Sequence, residues 1–256
     1  MRKHIAALTA LLLAGASPAF AADIVVPDYT PESGWTFTVA PYFWAAGMDG
    51  EVGQFGLPDV EIDASFSDIF RNLDFGAMGV VEARNGSFGV LGDIMYVKLS
   101  ADEGVETRRI DADVELTSET FSALLAAEYR LLEGEGGSLD ILAGGRYWAV
   151  STDVDLSGAQ LDLSRSDGED WIDPMVGLRG RANLTPDFFL TGWGMIGGFG
   201  VSSDFAWDAM GGIGYEISDT VSIIAGYRAL SVDYQNDDFK FDVTEHGPIL
   251  GAAFSF

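Results

Sequence analysis

Apolar and polar residues alternate along this chain in short runs with a period of two, the mark of strands with two unlike faces. Ten such runs fall near Trp35 to Trp44, Phe75 to Arg84, Ser87 to Ser100, Val114 to Leu131, Ser138 to Thr152, Trp171 to Asn183, Phe188 to Gly200, Asp204 to Ile217, Thr220 to Tyr234 and Val243 to Phe256. No long helical period and no low-complexity linker separates them. Asn85-Gly86 is the sharpest turn signal, because both central positions of a type I′ hairpin need positive φ. It predicts Ala83 opposite Phe88, Val81 opposite Val90 and Gly79 opposite Gly92 on one face. The other face then pairs Glu82 with Gly89 and Met78 with Asp93.

Connector lengths alternate. Asn85-Gly86, Glu133 to Gly137, Thr185 to Asp187 and Ser218-Asp219 are short, whereas Ala45 to Asp74, Ala101 to Asp113 and Asp153 to Asp170 are long. Short turns at one end and long loops at the other are the habit of barrels that span an outer membrane. Val201 to Ser203 breaks the rule, so eight or twelve strands stay open beside ten. With the turn-derived face outward, aromatics form two rings. Phe88, Tyr129, Phe188, Tyr215 and Phe256 lie near the short turns; Phe43, Phe75, Tyr96, Phe121, Tyr147, Phe205 and Tyr227 lie near the long loops. Phe88 to Tyr96 and Phe121 to Tyr129 each span eight residues, roughly 20 Å of height at a tilt of about 40°. That matches an apolar membrane band. A soluble barrel would turn such aromatics inward.

Residues 1–21 read as a secretion signal. Arg2 and Lys3 give the charged start, Ile5 to Gly15 the apolar stretch, and Ala19-Phe20-Ala21 the cleavage site. The apolar stretch is too short to span as a helix. Residues 22–34 are then a periplasmic lead and residues 35–256 the barrel. Removing the signal leaves 12 Lys+Arg against 40 Asp+Glu, and 12 minus 40 is a net charge of −28. Such a chain disfavours nucleic acid as a partner. With no cysteine, no disulfide holds the fold.

The opposite face carries charge at membrane depth: Glu82, Arg84, Asp93, Glu128, Arg130, Asp140, Arg146, Asp173, Arg179, Arg181, Glu216 and Arg228. Acids and bases are evenly mixed. One reading is a salt-bridge network that fills a narrow lumen; the other is a pore or proton path. About ten strands leave little free lumen once Arg and Trp side chains occupy it, which favours the filled lumen. Trp148 and Trp193 also face in.

Beyond the outer ring the polarity inverts. Asp111, Asp113, Glu115, Thr117 and Glu119 now face out, with Ala112, Val114 and Leu116 inside. Past Tyr147, Ser151, Asp153 and Asp155 face out, with Val150, Val154 and Leu156 inside. Val97, Leu99, Leu230 and Val232 repeat the pattern on other strands, and Val60, Ile62, Ala64 and Phe66 can join them. The strands therefore leave lipid for water as an acidic-skinned, apolar-cored cap. Asp68 to Leu73 carries a weak signal for a helical turn.

Candidate chemistry is sparse. His246 is the one histidine of the mature chain, and it faces outward near the outer rim. No nucleophile–base constellation accompanies it, so no catalytic residue is assigned and an enzyme is not expected. Asp59, Glu61 and Asp63 lack the glycine turn and distal glutamate of a calcium loop, and Asp237-Asp238 reads as solvated acid. No metal or cofactor is expected.

The closing Leu250, Ala252, Phe254 and Phe256 alternate with Ile249, Gly251, Ala253 and Ser255. This end resembles the last strand of Gram-negative outer-membrane β-barrels. Phe66-Ser67-Asp68-Ile69-Phe70, Asp74 to Gly79, Gly144 to Trp148, Gly197 to Gly200, and Gly226-Tyr227-Arg228 before Ser231 to Tyr234 resemble a family of such proteins to which no activity is attached. The resemblance implies fold and location. It also implies contact with outer-membrane lipid, lipopolysaccharide and the barrel assembly machinery. The expected protein is an all-β, antiparallel, up-and-down transmembrane barrel of ten strands with extracellular strand extensions. Its expected role is structural or surface interaction, with a narrow conduit or binding site for small apolar molecules as the alternative and an outer-membrane enzyme as the remote one.

Overall fold

The computed structural model describes residues 34–107, 110–158 and 161–256. The expected signal over residues 1–21, and nearly all of the expected lead, lie outside them. Among the described residues the elements are β1 (Trp35–Trp44), β2 (Gly47–Gly53), β3 (Val60–Ala64), α1 (Phe66–Arg71), β4 (Leu73–Asn85), β5 (Phe88–Thr107), β6 (Ile110–Gly134), β7 (Gly137–Gly158), β8 (Leu161–Asn183), β9 (Phe188–Gly197), β10 (Phe205–Ser218), β11 (Val221–Asn236) and β12 (Phe239–Ser255). Ten of the strands close into an antiparallel barrel in the order β1-β4-β5-β6-β7-β8-β9-β10-β11-β12, with β12 pairing back onto β1. The hairpin β2–β3 is added to the upper part of β12.

β1 and β2 act as one long strand against β12. Thr38 opposes Ser255 and Gly53 opposes Lys240 in the same register, and the Ala45 amide bridges the interval by donating to the Pro248 carbonyl at 2.9 Å. On its other side β1 pairs with β4 only as far as Pro41 opposite Gly79. Above that point the wall splits. α1 stands between the two parts, its N-terminus fixed by a reciprocal capping box between Ser65 and Asp68. Hydrogen bonds from Ser65 hold the Asp68 carboxyl below the usual carboxylate range. Phe66 at the start of α1 packs edge-on to Phe43, with ring centroids 5.9 Å apart.

The faces follow the predicted alternation, and the molecule is apolar outside. Phe88, Leu125, Ile141, Ile172, Leu178, Ile213 and Leu250 are exposed. So are Phe43, Phe75, Phe205 and Tyr227 of the outer ring, and Phe88, Tyr129, Phe188, Tyr215 and Phe256 of the inner one. Cross-strand pairs knit the rings: Phe88 to Tyr129 at 5.0 Å, Phe188 to Tyr215 at 4.9 Å and Phe75 to Tyr96 at 5.9 Å. A belt of this extent has no place in water.

Three expectations need correction. The β4–β5 hairpin places Asn85 opposite Phe88 and Ala83 opposite Val90, two residues away from the predicted register. Gly86 has φ 57° while Asn85 does not take positive φ, so Gly86-Ser87 are the central residues, as in a type II′ turn. A shift of two positions preserves the faces, which is why the inside–outside assignment survives. Second, the connectors after β5 and β7 are shorter than expected: the extracellular strand extensions keep β5–β6 paired up to Thr107 opposite Ile110 and β7–β8 up to Gly158 opposite Leu161. Third, the cap core sits lower than expected. Leu116 is 42% exposed and Val60 58% exposed, because no opposing wall reaches them. The side chain of Leu156 lies outside the described residues. The buried set is Trp148, Val150, Trp171, Leu230, Val232, Tyr234, Phe239, Phe241 and Val243, just above the outer ring. Trp171 of β8 stacks on Tyr234 of β11 at 3.9 Å and 3°, closing the place where the short β9–β10 turn leaves the wall low.

Two outcomes test this architecture. In detergent the protein should give a β-type circular dichroism spectrum and a faster-migrating unheated band on gels; a detergent-free soluble monomer would contradict the barrel. Val232→Asp should expose the cap to protease, because it buries a carboxylate without a partner, while Asp155→Asn on the exposed skin should leave nicking unchanged.

Candidate functional site

Alternation turns twelve predicted charges inward, and the structure ties most of them into two tiers. The upper tier centres on Arg228 of β11. It donates to Asp93 of β5 at 2.6 Å, to Asp208 of β10 at 2.7 Å and to the Tyr42 hydroxyl of β1 at 2.7 Å. Tyr42 in turn donates to Asp93 at 2.7 Å. Arg146 of β7 reaches Asp208 at 2.6 Å and the Ser122 hydroxyl at 3.2 Å. Trp193 donates to Asp208 at 2.9 Å. The Arg228 guanidinium also lies 5.2 Å from the ring centroids of both Trp44 and Trp193. Arg228, Arg146, Asp208 and Asp93 are all buried. One guanidinium fork thus ties three strands to β11, a geometry that arginine supplies and lysine does not.

The lower tier lies nearer the short turns. Arg84 pairs with Glu82 at 2.8 Å and with Glu128 at 2.7 Å. Arg179 pairs with Glu82 at 2.5 Å and with Glu128 at 3.2 Å. Arg130 pairs with Asp140 at 2.7 Å and with Glu133 at 3.0 Å. Gly89 makes room here, since a Cβ there would stand 3.0 Å from a Glu128 oxygen. Arg181 and Glu216 form a separate pair that is over a third exposed, and the Arg181 guanidinium sits 3.6 Å over the Phe189 ring.

Two placements differ from the simplest pairing. Asp173 meets no cation among the described residues; it accepts from the Ser203 amide at 2.9 Å, the Ser203 hydroxyl at 2.6 Å and the Trp171 indole at 3.1 Å. It therefore anchors the β9–β10 turn to β8. Arg146 does not meet Asp140, Glu128 or Asp173, the neighbours its strand position suggests, but Asp208 and Asp93 from other strands. Asp208 was absent from the predicted set. Its signal was present, because it shares a face with Glu216 on β10, opposite to Phe205 and Tyr215. Tyr42, also outside the predicted set, is assigned inward by the same parity.

Outside, His246 links two strands. Its Nε2 lies 2.9 Å from Asp49 and its Nδ1 2.6 Å from the Tyr227 hydroxyl. With the Nε2 proton on the Asp49 carboxylate, the tyrosine donates to Nδ1. Among the described residues no group of three or more metal-ligating side chains converges.

An apolar exterior, a charged interior and a closed strand ladder together define a transmembrane β-barrel. Among solved structures, outer-membrane β-barrel proteins share this fold. The outer membrane protease OmpT from Escherichia coli aligns over 90% of this chain and 99% of its own, at 12% identity and a TM-score of 0.54. The translocator domain of the autotransporter NalP from Neisseria meningitidis aligns over 90% of each chain, at 12% identity and a TM-score of 0.44. At this identity the likeness is one of fold. No protein-family model and no curated protein sequence matches the chain.

The tiers differ in what they cost to break. Arg228→Ala should lower stability by about 3–5 kcal/mol, because Asp93 and Asp208 lose their shared cation in a buried site. Arg181→Ala, at a partly exposed pair, should cost no more than about 1 kcal/mol. Urea-induced unfolding in micelles would check the ranking.

Proposed function

We propose that this chain is exported, resides in the outer membrane, and acts there as a barrel with an occluded lumen that presents an acidic surface outside. Its role is structural or surface interaction rather than conduction or catalysis. One observation carries the reading: the guanidinium of Arg228, 0% exposed, bridges carboxylates and hydroxyl from β1, β5 and β10 across the lumen. A conducting pore needs its charges in water. Here the second tier and the aromatic layer of Trp148, Trp171, Tyr234, Phe239 and Phe241 lie in series with the first. That aromatic layer also bears on the alternative of a conduit for small apolar molecules. Its side chains pack on one another, with Trp148 1% and Trp171 5% exposed, which supports a filled cap.

Planar-bilayer recording should show no steady conductance. A stable open level on the nanosiemens scale, roughly what wider barrels give, would overturn the occluded reading.

A further inference from the structure

We propose that the β1–β12 seam is a binding site for one outer-leaflet lipid with an ammonium-bearing headgroup. The proposal rests on the reading above that the barrel spans a bilayer. The seam has a built notch. Pro41 brings no N–H, and the β1–β12 ladder passes over Ala40 and Pro41 without a rung, between Val39–Phe254 and Tyr42–Gly251. Gly251 and Ala252 add almost no side chain beside it. The result is a recess on the outward face, walled by Pro41, Phe43, Ile223, Leu250 and Ala252. It opens between the two aromatic rings, so the phase in contact with it is hydrocarbon.

What stands above the notch selects the rest of the ligand. On the same face of β12, Pro248 and then His246 follow Leu250, and His246 fixes Asp49 and Tyr227 around itself. Ala252 to His246 is six residues, about 20 Å along the strand and about 15 Å in height at a tilt of about 40°. That is one leaflet of a hydrocarbon core of about 30 Å. A lipid with its headgroup at His246 therefore sends an acyl chain down to Ala252. Both imidazole nitrogens are already engaged, so what the cluster still offers is acceptors: the second Asp49 oxygen and a lone pair of Tyr227. Glu51 and Asp242 flank it on the same face, opposite one another across β2 and β12; Lys240 on that face pairs with Glu51, so Asp49 and Asp242 carry the charge left over. Acceptors within acidic surroundings attract an ammonium group and repel a bare phosphate.

The test is native mass spectrometry of the purified full-length protein titrated with phosphatidylethanolamine or phosphatidylglycerol in detergent. One ethanolamine lipid should bind in preference to the glycerol lipid. Ala252→Phe, which fills the notch from the lipid side, should weaken that binding by at least about tenfold. Asp49→Asn should keep the lipid while erasing the headgroup preference. Each variant must keep its heat-modifiable band; loss of that band in the wild type would instead refute the barrel. Equal binding of the two lipids, or undiminished binding to Ala252→Phe, overturns the site.

Discussion

The structure depends on one constraint: in hydrocarbon every backbone N–H and C=O must find a partner within the protein. A sheet meets it only by closing, and here closure falls to β1 and β12. Their register holds unchanged from Thr38 opposite Ser255 to Gly53 opposite Lys240, so a single alignment fixes both the barrel seam and the start of the cap. At the lower end Phe37 and Phe256 exchange both backbone hydrogen bonds at 2.9 Å. Once the ladder is closed, period-two alternation leaves each side chain only two destinations, lipid or lumen.

That choice explains the charge distribution. Ten tilted strands enclose a narrow space, and a charge within it is far from bulk water. Isolated, each would be too costly to keep ionised; paired and hydrogen-bonded, they become cross-braces. Arg228 shows the logic most fully. Its planar fork satisfies two carboxylates and a phenol from different strands, and Trp44 and Trp193 line its other surfaces. Arg228–Asp93, Arg146–Asp208 and Arg179–Glu82 tie strands that share no ladder, and so resist the collapse or ovalisation that a hydrogen-bonded cylinder alone permits.

Because faces depend only on parity, they were legible in the sequence; because partners depend on barrel geometry, they were not. The rings of aromatics, the inward charges and the cap residues Val150, Leu230 and Val232 all follow from counting by twos. The Asn85-Gly86 signal predicts a register two residues from the observed one, and the faces are unchanged, since a slip of two residues conserves parity. No local pattern could tell that Arg146 would meet Asp208, 62 positions away. That pairing is set by shear and strand order. Asp208 is different in kind: parity on β10 alone is sufficient to turn it inward.

The same constraint accounts for where the barrel stops being regular. β4 leaves β1 at Pro41, and β9 leaves β8 above the Met175–Gly197 pair. Both departures lead towards the outer, watery end, where an unpaired strand edge is solvated. So β8 runs on from Pro174 to Leu161 without β9, and β3 closes the β2 hairpin with its far edge unpaired by any other strand among the described residues. Such edges invite association with other chains, and the usual protection is charge and brevity. β3 has both: it is five residues long and carries Glu61 and Asp63. β8 carries Asp167, Glu169 and Asp170 along its free stretch. The marked acidity of the chain thus serves the cap more directly than it serves the membrane. It lets the walls part outside the lipid, where pairing is no longer compulsory, without turning each parted edge into a site of aggregation.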